Sequence, residues 1–340
     1  MRKTFKYRIY PTQETERKLF WTLTRCRELY NAALTERKDA YKYAGKSVSY
    51  YDQQNDLPEI KAEIRQEYQD IAAHVLQDVL RRLDRAFQNF FRRCRNGENP
   101  GFPRFQGRNR YDSFTYPDGA GWKFNGQDLH LTKIGKAKVR LHRPLEGKIK
   151  TVSIKREVDE WYVTFSCEVD APEKLPICYE DVGIDLGVTH LATLSNGEMI
   201  EHPRYYRKAQ KVLEKRQQAL SRKKRGSHRR DKARKLVAKA HRKIARQRKD
   251  FQHKVSKKLV ERYQVIVFED IRIGNLTRKP KPRQDENGKY LPNGAASKGG
   301  LNKSILDAGW GAFVSICMVK AAWAGRTIIK VDPTDPAIRN

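Results

Sequence analysis

The sequence predicts a multidomain chain of mixed α/β and α+β class: a helical part, a β-barrel part, and an α/β part carrying a long basic helical hairpin. Three observations predict it. Apolar residues recur at helical spacing within 13–94, alternate at strand spacing between about 95 and 175, and then fall in short buried runs separated by helices. Turn-rich breaks at Asn96-Gly97-Glu98-Asn99-Pro100-Gly101 and at Pro172–Pro176 part these regions. The stretch from Arg204 to Lys249 holds 21 Lys and Arg against two acids, Glu214 and Asp231, in a chain of net charge +31.

Taken in order, residues 2–10 alternate, with Phe5, Tyr7 and Ile9 on one side and Lys6 and Arg8 on the other; Pro11-Thr12 stops the strand and caps a helix. Leu19, Leu23, Cys26, Tyr30 and Ala33 form one helical seam, and Leu76, Leu80, Leu83, Phe87 and Phe90 another. Short β runs follow at 113–116, 122–124, 129–131, 137–141 and 148–156. In Trp161–Val169 every second residue is apolar or Cys, the pattern of a half-buried strand, and strand 2–10 is expected to join this β part. Val182–Leu186 and Leu191–Leu194 read as a buried strand pair. Two long helices broken at Gly226-Ser227 come next, the second with a seam at Val237, Ala240, Ile244, Phe251, Val255 and Leu259. Residues 277–303 show no periodicity and read as a loop or insertion. A last helix, about 305–324, leads to the strand Thr327–Val331, expected in one sheet with the strands ending at Asp185 and Glu269.

Composition narrows the function class. With 33% charged, 38% apolar and 10% aromatic residues, the chain is polar yet too aromatic to be disordered. No run reads as a membrane span, and the N-terminus carries no hydrophobic signal core, so no membrane partner is expected and the compartment reads as cytoplasmic. Five scattered cysteines, Cys26, Cys94, Cys167, Cys178 and Cys317, odd in number and never spaced as a pair, argue against a disulfide framework and against a zinc site, which fits a reducing interior.

The basic block points to polyanions, because cations clustered on one element bind phosphate and release its counterions. The candidates for nucleic-acid contact there are Arg222, Lys223, Lys224, Arg225, Arg229, Arg230, Arg242 and Lys243, with Arg81, Arg82 and Arg85 on the second helical seam and Arg104 in Gly101-Phe102-Pro103-Arg104-Phe105. That last motif reads equally as a turn packed on the barrel. Two apolar runs flank the block and each ends in a carboxylate, Asp185 and Glu269. Acids at the carboxyl ends of sheet strands are where an α/β sheet presents a site, and hard divalent cations take such oxygen ligands. The pair therefore reads as a metal-assisted phosphodiester site, against the plainer reading of two strand-end turns.

Five motifs in order carry a resemblance: Lys6-Tyr7-Arg8-Ile9-Tyr10-Pro11, Gly101-Phe102-Pro103-Arg104-Phe105, Gly183-Ile184-Asp185-Leu186-Gly187, Phe268-Glu269-Asp270-Ile271 and Asp307-Ala308-Gly309-Trp310-Gly311. Over nearly its whole length the chain resembles the TnpB family of transposon-encoded RNA-guided DNA endonucleases, relatives of the type V CRISPR effectors. The resemblance implies a wedge-like β domain in 1–12 plus 95–175, a helical recognition domain in 13–94, and an RNase H-like (RuvC-type) nuclease domain in 178–340. It implies Asp185 and Glu269 as the first two metal-binding acids, Mg²⁺ as cofactor, and as partners a guide RNA from the transposon end and double-stranded target DNA.

The chain departs from that pattern at its end. In the family, the strand resembling Val331-Asp332-Pro333 is followed by a zinc ribbon and a third catalytic Asp; here seven residues follow, and no cysteine comes after Cys317. The late acids Asp307, Asp332 and Asp335 do not match the third-Asp motif. The expectation is a truncated copy whose Mg²⁺ site is incomplete, in which zinc is absent and cleavage is impaired. A non-enzymatic RNA-guided DNA-binding protein and a decayed transposase fragment are the alternatives.

Overall fold

Alternation carries the first strand, β1 (Arg2–Pro11), up to a proline, and Thr12 then turns the chain into a helix by accepting the Thr15 amide N–H at 3.2 Å. That helix, α1 (Gln13–Ala44), ends at Gly45 in the left-handed conformation, φ 62°. The computed structural model describes residues 1–332 apart from Asn109; Asp335, and with it the chain after Asp332, lies outside the described residues. The chain divides into two compact units, Met1–Asp170 and Ala171–Asn340.

In the first unit, two short helices α2 (Tyr50–Asn55) and α3 (Leu57–Glu59) lead to α4 (Ala73–Arg95). Six strands follow: β2 (Ser113–Tyr116), β3 (Trp122–Phe124), β4 (Asp128–Leu131), β5 (Gly135–Arg140), β6 (Lys148–Glu157) and β7 (Glu160–Glu168). They form with β1 a seven-stranded antiparallel sheet in the order β2-β6-β7-β1-β5-β4-β3. The sheet curls into a nearly closed barrel. Tyr116, at the end of β2, donates its hydroxyl to the Thr132 carbonyl just past β4 at 3.1 Å, which draws the two edges together. A Cβ on Gly121, φ 84°, would stand 2.8 Å from the Tyr116 ring, so only glycine fits at that seam.

As the sequence predicts, β1 joins this sheet, and the α1 seam Leu19, Leu23, Cys26, Tyr30 and Ala33 is buried. Helices and barrel share one core, in which Leu76, Leu80 and Leu83 of α4 lie with Phe5, Tyr7 and Phe165 of the sheet. Arg82 ties the two layers. Its guanidinium donates to Asp78 at 2.8 Å, to the Ser113 carbonyl at 2.8 Å and to the Thr115 hydroxyl at 2.7 Å.

The second unit is built on β8 (Asp181–Asp185), β9 (His190–Leu194), β10 (Met199–Glu201), β11 (Val265–Glu269) and β14 (Thr327–Val331), in the order β10-β9-β8-β11-β14. Strands β10, β9 and β8 run antiparallel; β8, β11 and β14 run parallel, as the strand-end acids require. Two helices, α5 (Tyr205–Ser221) and α6 (His228–Arg262), make the basic hairpin between β10 and β11. A short helix α7 (Ile273–Leu276) and a two-stranded ribbon, β12 (Arg283–Gln284) and β13 (Tyr290–Leu291), lead to α8 (Ala295–Ala308) and α9 (Trp310–Ala324). Val182, Ile184, Ile266 and Phe268 pack with Leu259, Val260, Phe313, Val314 and Cys317 to form the core.

Three sequence expectations need correction here. Residues 277–303 are not a featureless loop, since they hold the β12–β13 ribbon and the first half of α8, whose Gly299-Gly300 pair hides the helix from a propensity reading. The last helix is two helices, broken at Gly309 with φ 67°. Together α8 and α9 do reach the length and apolarity of a membrane span, contrary to the sequence reading. The break at Gly309 and the burial of Phe313, Cys317 and Ala321 in the core mark them as packed helices of this unit.

The Asp78 side chain is only 8% exposed and Arg82 is its cation. Arg82→Ala should therefore strand a buried carboxylate and cost the first unit about 3 kcal/mol. Urea unfolding followed by hydrogen exchange in residues 1–170 reads this directly, and a loss below about 0.5 kcal/mol, the scale of an ordinary surface change, would show that the contact does not hold the layers.

Candidate strand-edge site and basic hairpin

Parallel pairing sets the carboxylates. Ile184 of β8 faces Phe268 of β11 in register, so the next residues, Asp185 and Glu269, stand side by side at the carboxyl ends of neighbouring strands. Residues one apart point to opposite faces, and Ile184 and Phe268 face the core, so the two carboxylates share the other face. Asp185 is exposed and Glu269 half-buried. Beside them lies a cavity of about 500 Å³ lined by Leu186, Glu269, Asp270, Arg272, Trp310 and Asp332, among others. Asp270 pairs with Lys330 of β14 at 3.3 Å. Among the described residues no three His, Cys, Asp or Glu side chains converge as a metal-holding group.

The turn after Asp185 is held from outside. Trp310 donates its indole N–H to the Gly187 carbonyl at 3.2 Å, and its ring is buried. Trp310 opens α9 directly after the Gly309 break, and that break is fixed to the hairpin. Gln252 of α6 donates to the carbonyls of Ala308 and Gly309, both at 3.1 Å. A Cβ on Gly309 would stand 3.0 Å from the Gln252 amide nitrogen and 3.2 Å from Arg248. Asp307, one of the late acids, is not at the carboxylate edge. Its buried carboxylate accepts the Tyr206 amide N–H, at 3.0 and 3.2 Å to its two oxygens, and the Arg248 guanidinium at 2.9 Å. It thus caps the first turn of α5 and pins α6.

His202 sits at the same junction, where Nδ1 accepts the Arg204 amide N–H at 2.9 Å. Burial pushes its pKa below the ordinary histidine value, and Arg204 and Arg248 add to the shift against the opposing pull of Asp307. Arg204 itself adopts φ 52°, a strained backbone for a side-chain-bearing residue, at the entry to α5.

The hairpin carries its charge outward. Leu213 and Ile244 are buried between its helices, while Arg222, Lys223, Lys224 and Arg225 at the tip and Arg229 and Lys243 along α6 are exposed. Arg242 is half-buried. Arg230 serves the turn instead, donating to the carbonyls of Leu220 at 3.0 Å and Lys223 at 2.9 Å where α5 ends. The acid Asp231 is taken by Arg234 at 3.1 Å, and Glu214 accepts from Gln210 at 2.8 Å, so the block's own two acids leave it strongly cationic.

In the first unit, Arg81 lies over the Tyr50 ring, 5.4 Å from its centroid, and Arg85 is exposed beside it. Arg104 is exposed on its loop. Arg82, grouped with these by sequence, is occupied by the internal bonds already described and holds α4 to β2. The bonds of Asp307 and Trp310 are absent from the sequence reading, because their partners lie 59 to 123 residues away in the chain.

Two family models match the chain, one described as a probable transposase over residues 164–279 and one as a helix-turn-helix domain over residues 1–46. Residues 1–46 fold here as β1 followed by the single helix α1. The putative RNA-guided DNA endonuclease InsQ of Escherichia coli (strain K12) is 30% identical over 97% of this chain and 80% of its own length. A putative RNA-guided DNA endonuclease of Streptomyces pristinaespiralis is 35% identical over 99% of this chain and 79% of its own. Among solved structures, a CRISPR-Cas12f ternary complex resembles the chain at 13% identity and a TM-score of 0.35, covering 95% of this chain and 72% of that one, too loose a likeness to assign a fold.

If the hairpin tip holds phosphate, replacing Arg222, Lys223, Lys224 and Arg225 by Gln should flatten the slope of log affinity against log salt by about three units and leave sequence preference unchanged. Filter binding of RNA at graded salt measures the slope. An unchanged slope would mean that the tip points away from the nucleic acid.

Proposed function

The chain belongs to the TnpB family of transposon-encoded RNA-guided DNA endonucleases, and on that premise we propose that it binds a guide RNA and uses it to recognise double-stranded target DNA in the cytoplasm. The observation that carries the reading is the pairing of two features in one unit: the stretch Arg204–Lys249 with 21 basic residues against two acids, and two carboxylates at the ends of adjacent parallel strands. Phosphate is drawn to the first, and phosphodiester chemistry needs the second.

Residues 178–340 are the RuvC-type, RNase H-like part in this reading, supported by a sheet of three antiparallel strands continued by two parallel ones. Residues 13–94 are the recognition part, and 1–12 with 95–175 the wedge-like part, supported by the barrel-like sheet. Hard oxygen donors at the strand ends fit Mg²⁺, an ion held through one or two carboxylates while water and substrate phosphate fill its other positions. Asp185 and Glu269 would hold it, and the bound ion would stabilise charge on the phosphoryl oxygens. The chain's own residues do the rest. The hairpin holds the backbone of the nucleic acid, Trp310 keeps the turn after Asp185 in place, and Lys330 holds Asp270 aside from Glu269.

Asp270 and Asp332 line the same cavity as Glu269, but among the described residues no three acids converge as a metal-holding group, so slow cleavage is the first reading and RNA-guided binding without cleavage the second. With guide RNA, matched duplex and Mg²⁺, slow cutting is expected, falling to background in Asp185→Ala and in Glu269→Ala while target binding stays within about twofold, as expected for groups that act on the reaction rather than on binding. Cutting that persists in both variants would remove the site from these residues. Binding that ignores the match between guide and target would overturn the reading as a whole.

A further inference from the structure

The aromatic rings of Gly101-Phe102-Pro103-Arg104-Phe105 have no part in the function argued so far, yet Phe102 completes an unusual surface at the end of α4. Phe87, Phe90 and Phe91 of that helix meet Phe102 in an interlocked set of rings. Phe87 and Phe91 stack at 6.2 Å, Phe87 and Phe102 meet edge-on at 5.6 Å, and Phe90 meets Phe91 at 5.2 Å and Phe102 at 5.3 Å. Phe87 is anchored inward on the core, under the Arg37 guanidinium at 5.3 Å. The outer rings are bare: Phe91 is 54% exposed, Phe102 46% and Phe105 52%. Adjacent exposed aromatic rings of this kind mark a binding surface.

The surface is also rigid. Pro103 is buried, and the Asn31 side-chain amide grips the end of the loop from both sides, donating to the Gln106 carbonyl at 3.0 Å and accepting the Gln106 amide N–H at 2.8 Å. The rings are therefore presented on a fixed loop against a helix, not left out by a loose one. Around them stand the exposed arginines Arg92, Arg93, Arg95 and Arg104, and between residues 87 and 106 the only acid is Glu98, 3.8 Å from Arg92 and 4.0 Å from Arg93.

We propose that Phe91 and Phe102, with the exposed Phe105 three residues on along the same fixed loop, offer a platform of stacking faces to unpaired bases of the guide RNA, with the surrounding arginines on its phosphates. Charge selects a nucleic acid over a protein partner, since an anionic strand complements a cationic rim. Ring faces select unpaired bases, whose π surfaces are open, over a duplex, whose bases are already stacked. The guide is the resident strand, present before any target, and so it is the partner able to cover bare rings in the resting protein. The inference rests on the RNA-binding reading above and adds where unpaired nucleotides sit.

The test uses the full chain at raised salt, where the hairpin's electrostatic contribution is reduced, with an oligoadenylate about twelve nucleotides long, within the span a single-strand site covers. An RNA duplex of the same length is the control, and Phe91→Leu, Phe102→Leu and Phe105→Leu keep apolar bulk while removing the ring. Each substitution should weaken the single strand by about fivefold or more, leave the duplex unchanged, and keep the thermal unfolding of the parent chain. Introducing Trp at position 105 should restore or tighten binding. The platform is overturned if the Leu variants bind the single strand as the parent does, or lose single strand and duplex equally. If only an oligodeoxyadenylate is affected, the partner is DNA and the assignment to guide RNA is wrong. A parent chain that binds neither RNA would sink the RNA-binding reading itself, which separates that failure from failure of the platform alone.

Discussion

The second unit depends on one buried carboxylate. Asp307 takes the free N–H of Tyr206 at the start of α5 and the guanidinium of Arg248 on α6, and so attaches both arms of the hairpin to α8 at one point. The attachment matters because the outer part of the hairpin has few buried apolar side chains, whereas the base of α6 packs into the core through Leu259 and Val260. Leu213 and Ile244 are its buried apolar side chains between the arms, and its cations repel one another along its length. Removing one partner from such a pair leaves a charge in a place it cannot be solvated, so the junction is held strongly against partial loss. Gln252 and the glycine at 309 extend the same fixation to α9, and through the Trp310 indole to the turn after Asp185. The basic hairpin and the carboxylate edge are thus tied into one frame.

That frame reconciles two opposed electrostatic demands. A pair of adjacent carboxylates repels a phosphate backbone, while the hairpin attracts it. Both fields are screened over the same Debye length, about 10 Å at 0.1 M salt, and the stretch Arg204–Lys249 with 21 cations outweighs two acids within it. In the proposed function the larger field would draw a phosphate strand in, and the two acids would leave the edge fit to accept a cation between acid and phosphate. Lys330 on β14 adds a local correction by taking Asp270, so that the acid next to Glu269 is matched within the sheet.

Much of this was legible in the sequence. Alternation in Trp161–Val169 gave a strand because every second side chain enters the barrel core, and the helical seams of α1 and α6 were visible for the matching reason at their own period. The carboxylates at 185 and 269 could be found because an apolar run that ends in an acid marks the rim of a sheet. Partners distant in sequence were not legible. Asp307 carries no sign that its ligands are Tyr206 and Arg248, and Arg82 looks like any helix arginine until Asp78, Ser113 and Thr115 are seen around it. The first half of α8 was missed because Gly299-Gly300 reads as a breaker, although packing retains the helix across it. The aromatic platform was seen as a motif but not as a surface, since its rings come from a helix and a loop that meet only in the fold.

The position of β1 has a consequence for how the first unit is made. The earliest strand in the chain lies inside the sheet, between β5 and β7, and pairs over most of its length with residues 161–168. On a ribosome, which releases the chain from its N-terminus, that strand emerges with both of its edges open and waits for more than a hundred residues before its second neighbour appears. Helices α1 and α4 can collapse on each other meanwhile, but the barrel cannot close until β7 has left the tunnel. Its assembly is therefore a late event for the nascent chain, and the waiting strand, with Phe5, Tyr7 and Ile9 uncovered, is the segment of this unit most in need of a chaperone's shelter.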